Sequence, residues 1–222
     1  YFVREVTVPE NYTADKIDDL AVTNTYVIPK IDITGHKVWE GGPTPRPSIQ
    51  LQLFKDNVAH LAPVTLVNGV TSHTWVNLDK TDSNGVPHVY RVDEVTTPTN
   101  YVRSISNDGL TVTNTYVPTK TNIEAFKVWS GGANRPAISF QLYRVVGIEA
   151  IEAVGSPVVL DGSEATPWKV TFANMPTHRQ ADGGLYTYFV REVAVPTNYT
   201  ADTVDDLTVT NTFVPDSTNI VA

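Results

Sequence analysis

Cysteine is absent from the 222 residues, which excludes disulfides, cysteine-ligated zinc and thiol catalysis. Basic charge is also scarce: 16 Lys and Arg stand against 24 Asp and Glu, a formal net charge of −8. Without a basic run, the phosphate contacts on which nucleic-acid binding depends have no source, so no nucleic acid is expected as a partner. No window approaches the roughly 18 apolar residues of a membrane span, and the opening YFVREVTVPE lacks the pattern of a signal peptide. If the protein is exported, its targeting segment is expected outside this chain. Sustained helical periodicity is missing as well; only IEAIEAV (148–154) has the spacing of a helical turn.

Sites for external chemistry are equally scarce. His36, His60, His73, His88 and His178 show no ligand spacing, so no metal is expected. The Asp79–Gly85 loop lacks the ligand spacing and distal Glu of a calcium loop, and it reads as a turn. Asn11-Tyr-Thr and Asn198-Tyr-Thr match a glycosylation sequon, but they too read as turn residues. No Ser/His/Asp set, phosphate-cradling loop or carboxylate pair suggests turnover of an external substrate, and no cofactor is implied.

What the chain has in abundance is repetition. Residues 1–27, YFVREVTVPENYTADKIDDLAVTNTYV, return at 188–214 as YFVREVAVPTNYTADTVDDLTVTNTFV, with a weaker copy at 90–117. A second block, TGHKVWEGGPTPRPSIQLQLF (34–54), returns as EAFKVWSGGANRPAISFQLY (124–143). The chain therefore divides into the C-terminal fragment of a preceding repeat (1–28), two full repeats (29–117 and 118–214) and the start of a further one (215–222). It reads as an excerpt of a longer array whose neighbouring repeats are each other's partners. The second repeat is longer, mostly through RVVGIEAIEAVGSP (144–157), which suggests an extended hairpin. Residues 1–28 hold too few strands for a core of their own, and should be poorly packed or completed from outside the chain.

Short runs rich in Val, Thr, Ile and Tyr alternate with polar residues, and turn clusters such as EGGPTP, DSNG, SNDG and ADGG punctuate them. This pattern predicts tandem all-β sandwiches. Trp39, Trp75, Trp129 and Trp168 fall in strand patterns and read as core.

Alternate residues of a strand share a face. Ile33, Gly35, Lys37 and Trp39 therefore lie together, as do Ile123, Ala125, Lys127 and Trp129. In the closing strands, Asn114 falls with Leu110, Val112 and Tyr116, and Asn211 with Leu207, Val209 and Phe213. Glu94 shares a face with Tyr90 and Val92, and Glu192 with Tyr188 and Val190. Each full repeat thus aims one Lys, one Glu and one Asn at its core. An isolated buried charge costs several kcal/mol, so the three must meet. One outcome is a buried ion pair hydrogen-bonded to an amide. The other is chemistry: desolvation makes the Lys a neutral nucleophile and keeps the Glu protonated, and attack on the Asn side-chain carbon releases ammonia and leaves an isopeptide bond.

The ordered blocks KVW, GG, RP, QL(F/Y), EV, TNY and TVTNT(Y/F), present twice, resemble the B-type repeats of the collagen-adhesin (CnaB) family of Gram-positive surface proteins and pilins. The resemblance covers 29–214, with 1–28 a partial copy. It implies inverse immunoglobulin-like sandwiches, each crosslinked from first strand to last by a self-formed Lys–Asn isopeptide bond assisted by a Glu. Residue by residue, the bonds would join Lys37 to Asn114 and Lys127 to Asn211, with Glu94 and Glu192 catalytic. The leading fragment keeps Glu5 and Asn24 as an unpaired remnant, because no KVW strand precedes them and neither Lys16 nor Lys30 lies in the motif. The implied role is that of a stalk or spacer in a wall-anchored, extracellular bacterial adhesin, with single-turnover self-crosslinking in place of enzyme activity. A host matrix protein or glycan would be met through a head domain outside this chain. Two alternatives stand beside it: a module that itself binds host matrix or glycan, and a shaft pilin that polymerises through Lys30 in the sequence VIPK.

Overall fold

The computed structural model describes residues 1–215, and among them every regular element is a strand. The notional start of a further repeat at 215–222 lies, beyond its first residue, outside the described residues. Two compact units separate: Tyr1–Glu40 with Pro45–Tyr116, and Gly41–Thr44 with the chain from Val117 on.

The first unit opens with a hairpin of β1 (Tyr12–Asp18) and β2 (Ala21–Tyr26). Its sandwich follows as β3 (Lys30–Glu40), β4 (Ile49–Lys55), β5 (Val58–Leu66), β6 (Ser72–Asp79), β7 (Tyr90–Glu94), β8 (Tyr101–Ile105) and β9 (Thr111–Tyr116). A four-stranded sheet, β6-β3-β9-β8, faces a three-stranded one, β5-β4-β7. The second unit repeats the plan with β10 (Lys120–Ser130), β11 (Ile138–Val146), β12 (Glu152–Leu160), β13 (Lys169–Pro176), β14 (Tyr186–Glu192), β15 (Tyr199–Asp205) and β16 (Thr208–Phe213). Its sheets are β13-β10-β16-β15 and β12-β11-β14. All pairings are antiparallel except first strand with last, β3 with β9 and β10 with β16, which run parallel in mid-sheet. Parallel neighbours cannot be joined by a tight turn, so the whole of each domain lies between them in sequence.

Period-two burial builds each core. Leu51, Leu53, Val92 and Val112 are fully buried in the first sandwich, and Phe140, Leu142, Val190 and Val209 hold the same places in the second. Each such side chain contributes about 1.5–3 kcal/mol. Asn11, Asn100 and Asn198 all take positive φ, between 62° and 64°, immediately before a strand. The two sequon asparagines are thus left-handed turn residues, a conformation Asn tolerates better than most.

Two local expectations change. IEAIEAV forms no helical turn: Gly147, at φ 56°, reverses the chain into a hairpin, and Glu152–Val154 joins β12. Trp168 is not in a strand but in the bend before β13, after a proline that offers no N–H to a ladder. It packs against Trp129, ring centres 5.3 Å apart.

The leading segment stays thin. YFVREV, a strand in the full repeats, here joins no sheet among the described residues, and Val3 N–H donates to the Asp19 carbonyl (2.7 Å). Tyr1, Phe2, Val3 and Val6 are exposed. The hairpin meets the first sandwich through the Tyr26 hydroxyl, 2.7 Å from Thr81 Oγ1.

Candidate functional site: a buried lysine, glutamate and asparagine in each sandwich

Lys37 lies on β3 and Asn114 on the adjacent parallel β9, in a register that sets Lys37 opposite Val112 and Trp39 opposite Asn114. Both side chains point inward toward Glu94, which comes from β7 in the facing sheet. Burial is nearly complete, with 2% of Lys37, 3% of Glu94 and none of Asn114 exposed. The Asn114 amide donates to Glu94 Oε1 at 3.1 Å. Lys37 Nζ donates to the carbonyls of Val38 (3.1 Å) and Val112 (3.4 Å) and lies 4.2 Å from the centre of the Trp39 ring.

The second sandwich has the same arrangement. Asn211 donates to Glu192 Oε1 at 3.1 Å, and Lys127 Nζ donates to the carbonyls of Val128 and Val209, each at 3.2 Å. Its amine lies 4.6 Å from the Trp129 ring centre. Lys127 and Asn211 are buried, whereas Glu192 is half-buried.

Burial sets the electrostatics. Desolvation lowers the amine pKa of Lys37 and of Lys127 to about 8, against the opposing pull of Glu94 and Glu192. The same desolvation raises both carboxyl groups above their ordinary range; the Asn hydrogen bond and the nearby Lys only partly offset it. Each cluster is also short of hydrogen: Glu94 Oε2, Asn114 Oδ1, Glu192 Oε2 and Asn211 Oδ1 are buried acceptors without a partner. Unsatisfied buried polar atoms are uncommon, and one bound proton per cluster would supply the missing donor.

All six residues singled out from the sequence are therefore gathered into two sets of three. The remnant keeps part of the arrangement, because Asn24 donates to Glu5 Oε1 at 3.0 Å and Glu5 Oε2 is likewise unpartnered. Lys30 belongs to neither set. It opens β3 and binds Asp79 Oδ1 at 2.5 Å. Asp82 serves its turn, its Oδ1 accepting from the N–H groups of Asn84 and Val86. Among the described residues, no three His, Asp or Glu side chains are grouped to hold a metal ion.

The sequence reading missed the aromatic cover on each lysine. Trp39 meets Tyr101 edge-on at 5.0 Å, and Trp129 meets Tyr199 at 4.9 Å. The signal was present, since a Trp two residues after a Lys in a strand shares its face.

Comparison with known proteins places these features in a family. The family model of the Cna protein B-type domain matches twice, at residues 33–115 and 123–212. The collagen adhesin of Staphylococcus aureus is 31% identical in an alignment of 248 residues that covers 99% of this chain, which spans only 20% of that protein. The crystal structure of two B repeat units (B1B2) of the collagen binding protein of Staphylococcus aureus superposes with a TM-score of 0.60 at 26% identity, covering 93% of this chain and 55% of that one.

Proposed function

The chain belongs to the family of Cna protein B-type domains, and from that premise we propose that its two full repeats, 29–117 and 118–214, are stalk or spacer domains of an extracellular bacterial adhesin. Each would be locked by a Lys–Asn isopeptide bond that it forms by itself. The observation that carries this reading is the pairing, in both sandwiches, of a buried lysine of lowered pKa with an Asn amide held by a Glu of raised pKa.

The chemistry balances without a co-reactant. Neutral Lys37 Nζ attacks Cγ of Asn114. The Glu94 carboxylic acid polarises the amide oxygen, takes a proton from the attacking amine and returns one to the departing nitrogen. A C–N bond forms, a C–N bond breaks, and ammonia leaves. Lys127, Glu192 and Asn211 would repeat the reaction. Because the Glu begins and ends protonated and the nucleophile is consumed, the domain turns over once, on itself. An amide also needs no oxidant, which suits a chain without cysteine.

Intact mass of the denatured protein tests the proposal. The expected mass falls short of the sequence by two ammonia units, and Glu94→Ala and Glu192→Ala each restore one. A wild-type mass equal to that of the plain sequence would reduce both sets to buried polar clusters.

A further inference from the structure

We propose that the outer face of the β11–β14 sheet binds an acidic saccharide, a ring sugar carrying a carboxylate. Tyr143 and Phe189 are cross-strand neighbours whose rings stack at 5.5 Å and 14°. Arg191 is exposed, with its guanidinium 5.2 Å from the Phe189 ring centre and 5.4 Å from that of Tyr143. Among the described residues, no carboxylate lies within ion-pairing distance of it. Phe189 and Arg191 line, with Val145, Thr187, Val190 and Asp206, an open cleft of about 410 Å³, within the usual size range for a small-ligand site; Tyr143 backs Phe189 from the neighbouring strand.

The first sandwich shows what an ordinary version of this face looks like. Phe54, Arg91 and Asp93 hold the places of Tyr143, Phe189 and Arg191. There, Arg91 lies 4.3 Å over Phe54 and donates to Asn57 at 3.3 Å, while Asp93 is neutralised by Arg103 at 2.6 Å. Gly109 stands where the second sandwich has Asp206, and even a Cβ at Gly109 would come within 3.0 Å of the Arg91 side chain. Here the arginine is hydrogen-bonded and the aspartate ion-paired. The second sandwich instead has a second aromatic ring, an unpaired cation and an exposed carboxylate around one depression. The same Phe, Arg and Asp recur as Phe2, Arg4 and Asp19 in the leading copy.

Each part suits the ligand. The apolar face of a sugar ring packs on aromatic carbon, its carboxylate takes the charge-assisted donors of Arg191, and Asp206 accepts from a hydroxyl. With a net charge of −8, the chain as a whole repels polyanions, so retention of one must come from a local site.

The test titrates the full chain with oligogalacturonate, with a neutral malto-oligosaccharide and with an oligoglutamate peptide, followed by amide chemical shifts. Oligogalacturonate should shift the amides of Tyr143, Val145, Phe189 and Arg191. Arg191→Gln should weaken that binding roughly tenfold or more, the scale of one charge-assisted hydrogen bond. Arg91→Gln in the first sandwich should leave it unchanged. No shift with oligogalacturonate, shifts unaffected by Arg191→Gln, or equal response to the neutral sugar or the peptide would each overturn the proposal.

Discussion

Replacing Lys37 by Met and Glu94 by Gln together separates the two meanings of the buried cluster, because they predict different outcomes. If Lys37, Glu94 and Asn114 are only a polar cluster, the double change removes both ionisable groups at nearly constant volume, and a glutamine amide can accept from Asn114 as Glu94 does while donating to its unpartnered Oδ1. Replacing both partners of a buried pair is commonly neutral, or stabilising by about 1–4 kcal/mol. Removing one partner alone costs about 3–5 kcal/mol in either case, so the single variants do not discriminate. If an isopeptide bond joins Lys37 to Asn114, the same change opens a covalent loop of 77 residues. Chain entropy, by analogy with a disulfide, then assigns a loss of about 4–5 kcal/mol. For a domain of this size that is a fall of roughly 20–35 °C in melting temperature. Calorimetry of the full chain reads it directly, with the second sandwich as internal reference. A Lys37→Met, Glu94→Gln protein whose first transition stays in place or rises would refute the crosslink.

Two further outcomes follow from the same contacts. In Asn114→Ala the lysine amine must stay free. Its folded pKa of about 8 lies below the ordinary lysine value of 10.5, so the unfolded chain binds more protons in between and stability should rise with pH from 8 toward 10. Wild type should lack that component, since an acylated amine does not titrate; urea midpoints against pH would show a shared slope if no bond forms. Separately, a Cβ on Gly35 would come within 2.8 Å of Val92 and 3.0 Å of Trp75, so Gly35→Ala should cost about 1–3 kcal/mol. The second sandwich has Ala125 and Phe172 at these places, so adding Trp75→Phe should recover much of the loss in a double-mutant cycle.

Both the class of fold and the membership of each buried cluster were legible in the sequence, for one physical reason. Strand periodicity is two, so a polar residue in phase with Ile33 and Trp39, or with Val112 and Tyr116, can only point inward, and repetition shows the phase twice. Other features depended on what lies across the sheet. Periodicity places Tyr143 and Phe189 on the outer face of their strands but cannot show that they are opposite one another, which requires the β11–β14 register. The hydrogen bond of Glu5 to Asn24 was likewise hidden, because it persists where YFVREV has lost its ladder. Trp168 was misread because a run of bulky residues resembles a strand whether or not the backbone before it can pair.

The parallel pairing of first and last strands gives the proposed bond its mechanical meaning. Tension applied where β3 begins and β9 ends pulls two parallel neighbours in opposite directions, so the paired positions from His36–Thr111 to Glu40–Thr115 are loaded in shear. Shear shares the load among those positions, but once they fail nothing else holds the ends. The roughly 87 residues from Lys30 to Tyr116 could then extend to about 300 Å, at about 3.4 Å per residue. A covalent link from Lys37 to Asn114 would lie inside that ladder. Force would enter along β3 only as far as Lys37, cross to Asn114 and leave two residues later, so only the few residues outside the link could extend, to about 30 Å. Hydrophobic packing can set how stable such a domain is at rest, but it cannot limit how far the chain lengthens under load. A bond between the two loaded strands limits it from the position that has to carry the force, and the sandwich puts its lysine and its asparagine there.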